Sequence, residues 1–173
     1  IRPGETVRSF LAGDREAYEW LSQARTRQCL TALLGGFDDQ RLDRQLGELS
    51  GGERRRVELA ALVLDDVDVL ILDEPTNHLD IEAVAWLATY LRSQRSLALV
   101  VVTHDRWFLD EISDRTWEVV NGSVEEYDGG YSAFVLAQGA NAYLTARTTD
   151  GAETLLLGRS VTFTVMSITM AAT

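Results

Sequence analysis

Two short aliphatic runs with a helical pattern between them are the feature that most limits the fold of this chain. The runs cover Val67 to Leu72 and Leu97 to Val102, and apolar residues recur at helical spacing from Ile81 to about Arg95. A continuous aliphatic run of this length is typical of a strand that is buried on both faces of a parallel sheet. Because parallel strands need a crossover connection, the sequence predicts an α/β fold whose sheet is covered by helices.

Helical patterns surround this strand-helix-strand unit. Apolar spacing predicts two or three helices between Glu5 and Leu34, with Gly13-Asp14 as a break and Gly35-Gly36 as a stop. A further helix is predicted from Gly52 to Leu64, and a short one from Asp105 to Ser113. We therefore expect a helical subdomain over residues 1–64 and an α/β subdomain over residues 65–138.

A hairpin and a tail of different composition follow. Two β-prone runs, Trp117 to Val120 and Ser123 to Tyr127, flank Asn121-Gly122, which is a strong signal for a hairpin turn. Residues 139–173 have few charges and no sustained helical periodicity, and their β-prone stretch from Val161 to Met170 has no evident partner strand. We expect this tail to lie outside the packed domain.

The charge balance and the type of basic residue each limit the function of this chain. All 16 basic residues are arginine, and with 27 acidic residues the formal net charge is -11. Such a charge repels phosphate backbones, so broad nucleic-acid binding by this chain is disfavoured. Since the sequence has no lysine, it contains no phosphate-binding loop of the GxxxxGK[ST] type, also called the Walker A loop.

The cysteine count and the hydropathy of the sequence indicate the cellular compartment of the chain and whether it spans a membrane. Cys29 is the only cysteine, which excludes an internal disulfide and fits a reducing compartment, with the cytoplasm as the default. The longest strongly apolar run, Leu97 to Val102, is far shorter than the ~20 residues that span a bilayer. The sequence therefore predicts no membrane-spanning segment.

The loop that opens the predicted helix at Gly52 suits an anion. Ser50 is followed by Gly51 and Gly52, which let a phosphate approach the free N–H groups and the positive dipole end of the helix. Ser50 and Glu53 also form the S-x-x-E pattern of a capping box. Helix capping and phosphate binding both explain this loop.

Two further loops follow the predicted strands, where α/β sheets place their ligands. Asp73 is placed to hold Mg²⁺, and Glu74 can polarise a water that attacks a phosphate. His104 can donate a hydrogen bond to a phosphate or orient a water. The alternatives are two acidic residues in a turn before Pro75 and a loop histidine without a ligand.

In this order and at these spacings, the three loops resemble the ATP-binding cassette (ABC) ATPases. The matching segments are the signature motif Leu49-Ser50-Gly51-Gly52-Glu53-Arg54-Arg55-Arg56, the Walker B motif Val69-Leu70-Ile71-Leu72-Asp73-Glu74, and the switch histidine His104. The run Glu74-Pro75-Thr76-Asn77-His78-Leu79-Asp80 resembles the ABC-F subfamily. The run Thr103-His104-Asp105-Arg106-Trp107-Phe108-Leu109-Asp110 and the hairpin ending Tyr127-Asp128-Gly129-Gly130-Tyr131 are also similar to it, closest to the first cassette of Uup-like actinobacterial proteins. The resemblance covers about residues 3–138 and implies a partial P-loop (RecA-like) α/β core with a helical subdomain.

The resemblance also implies roles for individual residues. Glu74 is the implied general base, His104 the γ-phosphate contact, and Asp73 a ligand of Mg²⁺ through water. ATP in this superfamily lies between the Walker A loop of one cassette and the signature motif of another, so a second cassette is an implied partner. The implied nucleotide-binding residues are Ser50, Gly51, Gly52, Glu53 and, in the D-loop at the cassette interface, Asp80.

The implied function is ATP hydrolysis coupled to ribosome-associated translation. Without a Walker A loop, we expect the chain to be a partial cassette that is inactive alone. A nucleotide-binding subunit of a membrane transporter is an alternative that the Thr76-Asn77-His78 triplet disfavours. A non-catalytic interaction fragment is the second alternative.

Overall fold

The chain folds into two compact units. The computed structural model describes residues 4–13, 15–94, 96–120, 123–138 and, as backbone, 165–169. The first unit joins Ile1–Val67 with Thr76–Leu87, and the second joins Asp68–Pro75 with Ala88–Thr173. The segment Thr76–Leu87 thus groups with the helical residues before the first strand, because its loop packs beside the helix that begins at Gly51.

The first unit is built from helices, as expected. Three of them lie between Glu5 and Leu34, which confirms the predicted number and the predicted break near Gly13. The helices are α1 (Val7–Ala12), α2 (Ala17–Ser22), α3 (Ala24–Leu34), α4 (Asp39–Leu42) and α5 (Gly51–Leu64), with a short 3-10 turn at Leu46–Glu48.

Helix α3 ends and packs as its sequence indicates. Gly35 adopts φ 74°, the left-handed conformation that glycine accepts at a helix C-terminus, and its N–H donates to carbonyls of the last turn. Cys29 is fully buried in the core, and this burial raises the pKa of its thiol to about 12. The core of this unit includes Trp20, Cys29, Leu30, Leu33, Val57 and Ala60.

The second unit carries the sheet. Its elements are β1 (Val69–Asp73), the C-terminal part of α6 (Ile81–Ser93), β2 (Ala98–Val102), α7 (Arg106–Ile112), β3 (Arg115–Val120), β4 (Ser123–Asp128), α8 (residues 131–138) and β5 (Val165–Thr169). β1 and β2 pair in parallel, and β3 and β4 form the antiparallel hairpin, as predicted. The predicted turn Asn121-Gly122 lies outside the described residues.

The tail supplies a central strand, so the expectation that its β-prone stretch has no partner is wrong. The strand order is β1-β2-β5-β3-β4, and β5 pairs antiparallel with β2 on one side and with β3 on the other. β5 provides hydrogen-bond partners for the backbone groups of both neighbouring strands. Local composition does not reveal such a pairing between segments that are distant in the sequence. The rest of the predicted tail, residues 139–164 and 170–173, lies outside the described residues.

β1 differs from expectation in its burial. Leu70 and Leu72 are buried, whereas Val69 and Ile71 are 56% and 68% exposed. Successive side chains of a strand point to opposite faces of a sheet, and the described residues cover only one face of β1. The expectation of a strand buried on both faces is therefore wrong for this chain.

Within the described residues, no helix combines the length and the apolar character that a membrane crossing requires.

The position of β5 predicts a large effect of one proline. In the register of the sheet, Ser167 lies between Val101 and Thr116. Ser167→Pro removes an N–H from the middle of the sheet, and each lost pairing costs about 1–3 kcal/mol, so the urea midpoint of the second unit should fall. Ser167→Thr keeps the N–H and is the matched control. Equal midpoints for the two variants contradict the central position of β5.

Candidate functional site

The carboxyl ends of β1 and β2 bring two predicted loops together. The parallel register pairs Asp73, the last residue of β1, with Val102, the last residue of β2. Glu74 follows the first strand and His104 lies two residues beyond the second. The pairing of the strands thus places both loops at the same edge of the sheet, where ligands of α/β sheets bind.

The backbone of Glu74 is in an uncommon conformation. Its φ is 48°, in the left-handed region that residues with side chains rarely adopt. Its N–H donates a hydrogen bond of 2.7 Å to the carbonyl oxygen of Val102. This contact ties the start of the loop after β1 to the end of β2, and it is consistent with a functional position.

The two oxygens of the Glu74 carboxylate have different surroundings. Oε2 lies 2.9 Å from Nδ1 of His104 and accepts a hydrogen bond of 3.3 Å from Oγ1 of Thr103. Oε1 has no hydrogen-bond partner in the described part of the chain. The Glu74 side chain is 31% exposed and that of His104 75%, so the pair is open to a ligand.

The hydrogen bond with the Glu74 carboxylate raises the pKa of His104 above its ordinary value of 6.5, and the negative charge of Glu74 adds to this effect. The pair therefore stabilises the folded chain below pH 6.5, and this contribution is lost as the pH rises through the raised pKa. Sequence reasoning placed both residues at the site but missed their pairing. The only available signal was that both residues follow strands predicted to be neighbours.

Asp73 is available for a metal ion. Its carboxylate is exposed, and no described residue forms a hydrogen bond or an ion pair with it. Nowhere in the described ranges do three or more His, Cys, Asp or Glu side chains form a group that could hold a metal. Mg²⁺ is commonly bound by one or two carboxylates together with phosphate oxygens and water, and Asp73 fits that requirement.

The start of α5 forms the predicted capping box. Oγ of Ser50 accepts a hydrogen bond of 3.3 Å from the N–H of Glu53, and Oε2 of Glu53 accepts one of 2.8 Å from the N–H of Ser50. The hydroxyl of Ser50 also donates to Oε2 at 2.7 Å. At the first positions of a helix, the N–H groups of Gly51 and Gly52 have no acceptor within the helix. The capping box therefore leaves donors that an anion can use.

An ion pair extends this capping box. Nη1 of Arg44 lies 2.6 Å from Oε1 of Glu53. Hydrogen bonds from Arg44 and then from Ser50 lower the pKa of Glu53 from 4.5 to about 2. Glu53 is thus ionised under ordinary conditions and is engaged within its own unit.

His78 and Asp80 have local roles in the loop before α6. A Cβ atom placed on Gly52 would lie 3.5 Å from Cβ and Cγ of His78, so this histidine packs beside the start of α5. This contact was missed by sequence reasoning. Oδ1 of Asp80 accepts a hydrogen bond of 2.8 Å from the N–H of Ala83 and caps α6. These residues belong to the first unit, whereas Asp73, Glu74 and His104 belong to the second.

Comparisons with known proteins agree with this architecture. A model of the family described as "ABC transporter" matches residues 1–77. The probable ATP-binding protein YheS of Escherichia coli K12 is 42% identical over 115 residues, which are 66% of this chain and 18% of that protein. The energy-dependent translational throttle protein EttA of Mycobacterium tuberculosis H37Rv is 48% identical over 116 residues, 67% of this chain and 20% of that protein.

A solved structure shows the same fold. The complex of the archaeal ribosomal stalk protein aP1 with the archaeal ribosome recycling factor aABCE1 matches with a TM-score of 0.59 and 25% identity. The match covers 100% of this chain and 32% of that one. The fold is therefore that of an α/β nucleotide-binding core with a helical subdomain, as the sequence predicted.

The fold and the matches define a class of protein, the ABC ATPases. Residues 1–77 match the ATP-binding cassette family, and the relatives of the chain are ABC-F proteins. It spans about a fifth of the length of the YheS and EttA proteins that it matches.

The ion pair at the start of α5 predicts a measurable pKa change. Arg44→Leu should raise the pKa of Glu53 from about 2 toward 4.5, because the largest cause of the shift is removed while Ser50 remains. Titration of the Glu53 carboxyl carbon by NMR measures this change. Arg55→Leu on the exposed side of α5 is the matched control and should leave the value near 2.

The same substitution should alter the acid stability. A carboxyl group with a lowered pKa stabilises the fold above pH 4.5, and this contribution is lost as the pH falls toward 2. In Arg44→Leu, the free energy of unfolding should fall less between pH 4.5 and pH 2 than it does in the wild type. An unchanged Glu53 titration in the variant contradicts the assigned cause.

Proposed function

We propose that this chain is part of an ABC-F cassette that hydrolyses ATP, with Glu74 as the general base. The observation that carries the proposal is the geometry of the Glu74 carboxylate. Oε2 is engaged by His104 and Thr103, whereas Oε1 is open at the ligand-binding edge of the sheet. A carboxylate held in this way can accept a proton from a water molecule that attacks the γ-phosphate of ATP.

His104 contributes a hydrogen-bond donor for the γ-phosphate. Nδ1 faces Glu74, and the raised pKa favours the form in which both ring nitrogens carry a proton. Nε2 is then free to donate to a γ-phosphate oxygen. A donor placed there stabilises the negative charge on that oxygen as the phosphate is transferred.

Asp73 is the residue that would hold Mg²⁺, through water. When bound, Mg²⁺ neutralises charge on the phosphate oxygens. This assignment is supported by the exposure of the Asp73 carboxylate, which has no partner among the described residues. With this assignment, the metal ligand directly precedes the base in the sequence.

The first unit supplies the second nucleotide contact. Next to Ser50, the residues Gly51 and Gly52 present free N–H groups at the start of the helix, which suits the γ-phosphate of a nucleotide held by another cassette. Glu53 keeps Ser50 in place. Asp80 caps α6, and its role at the interface between cassettes is carried over from the resemblance. Since the sequence has no lysine for a Walker A loop, we propose that the chain is inactive alone and works with a second cassette.

The role of Glu74 is tested in the full-length protein that carries this cassette. Glu74→Gln should retain ATP binding and slow single-turnover hydrolysis by about 10²–10⁴-fold, since an amide does not accept the proton of the water. Glu58→Gln on the exposed face of α5 is the matched control and should hydrolyse ATP at the normal rate. Unchanged hydrolysis in Glu74→Gln at this cassette refutes the role of general base.

We propose further that the protein acts on the ribosome in the cytoplasm. Two similarities support this: EttA is named a translational throttle protein, and the matched archaeal structure contains a ribosome recycling factor with a ribosomal stalk protein. The net charge of -11 disfavours broad contact with RNA, so a specific site is required.

Co-sedimentation distinguishes this role from that of a transporter subunit. The full-length Glu74→Gln protein, which should hold ATP without hydrolysing it, is expected to pellet with ribosomes in ATP and much less in ADP. The Glu58→Gln variant controls for the loss of one charge. Pelleting with membranes and not with ribosomes contradicts the ribosomal role and supports the transporter alternative.

A further inference from the structure

Thr103 is a buried residue that directly precedes His104 and contacts Glu74. It follows β2 directly and is 2% exposed. Its hydroxyl has one proton and two lone pairs. Oγ1 donates the proton to Oε2 of Glu74 at 3.3 Å and accepts a hydrogen bond of 3.2 Å from the N–H of Asp105. The hydroxyl therefore connects the Glu74 carboxylate with the backbone of Asp105, the residue that follows His104.

The second contact extends into α7. Asp105 is the N-cap of this helix, and its Oδ1 accepts a hydrogen bond of 3.0 Å from the N–H of Phe108. Phe108 is fully buried. Because His104 lies between Thr103 and Asp105, its backbone is held at both ends by residues that are themselves anchored.

We propose that Thr103 is a positioning residue whose hydroxyl holds Oε2 of Glu74 against His104, so that Oε1 faces the attacking water. The proposal rests on the proposed role of Glu74 as the base. It requires a hydroxyl at position 103 because one group must donate to the carboxylate and accept from Asp105. Serine satisfies both requirements, whereas valine has nearly the same shape and satisfies neither.

The tautomer of His104 reports this arrangement without any nucleotide. A neutral imidazole carries one proton, and the hydrogen bond that each nitrogen makes decides which one holds it. With Oε2 fixed beside Nδ1, the proton of neutral His104 belongs on Nδ1. When Thr103 no longer holds the carboxylate, that preference weakens and the Nε2–H form gains population.

The first experiment uses this chain and ¹⁵N NMR at a pH well above the His104 pKa. The Nδ1–H form should predominate in the wild type and in Thr103→Ser, and should become the minor form in Thr103→Val and in Thr103→Ala. The chain has two histidines, and the signal of His78 is the internal control for folding. A wild-type tautomer ratio in a folded Val or Ala variant overturns the proposal, as does a changed ratio in Thr103→Ser.

The second experiment separates this proposal from the role of Glu74. In the full-length protein, Thr103→Val should lower kcat by at least about tenfold with little change in KM for ATP, and Thr103→Ser should restore it. If Glu74→Gln slows hydrolysis and Thr103→Val does not, the base assignment stands and the positioning role is overturned. If the tautomer shifts in Thr103→Val but Glu74→Gln hydrolyses ATP normally, Thr103 holds the Glu74 carboxylate against His104, whereas the base assignment is wrong and with it the role of Oε1 toward the water.

Discussion

The parallel register between β1 and β2 determines the geometry of the second unit. With Asp73 opposite Val102, the residues that follow the two strands meet at one edge of the sheet, and the N–H of Glu74 reaches the carbonyl of Val102. A slip by one residue would reverse the faces of every side chain in a strand. The buried residues Leu70 and Leu72 resist such a slip, because they would lose their place in the core.

The Glu74–His104 pair combines charge and hydrogen bonding at this edge. The carboxylate raises the pKa of the imidazole, and the imidazole and Thr103 together occupy one carboxylate oxygen. This division leaves the second oxygen without a partner in the described part of the chain. The proposed role of Glu74 as the general base rests on this open carboxylate oxygen beside a hydrogen-bond donor.

At the start of α5, capping and anion binding are compatible. The capping box uses the side chains of Ser50 and Glu53 and the N–H groups of the same two residues. The N–H groups of Gly51 and Gly52 lie between them and need no acceptor within the helix. Arg44 neutralises part of the charge of Glu53, which reduces the repulsion that this carboxylate exerts on an approaching anion. The capping box therefore leaves room for the proposed binding of an anion at this loop.

By itself, the sequence determined the elements and the residues of the candidate site. Helices α1 to α3, the parallel β1–β2 unit, the capping box and the positions of Asp73, Glu74 and His104 all follow from spacing and residue type, which are local properties. The tertiary structure decided the insertion of β5 between β2 and β3, the exposure of Val69 and Ile71, and the contacts of Thr103. The physical reason is that strand neighbours, covered faces and hydrogen bonds between distant loops depend on how the chain packs, and hydrophobic periodicity carries no information about which distant segments meet.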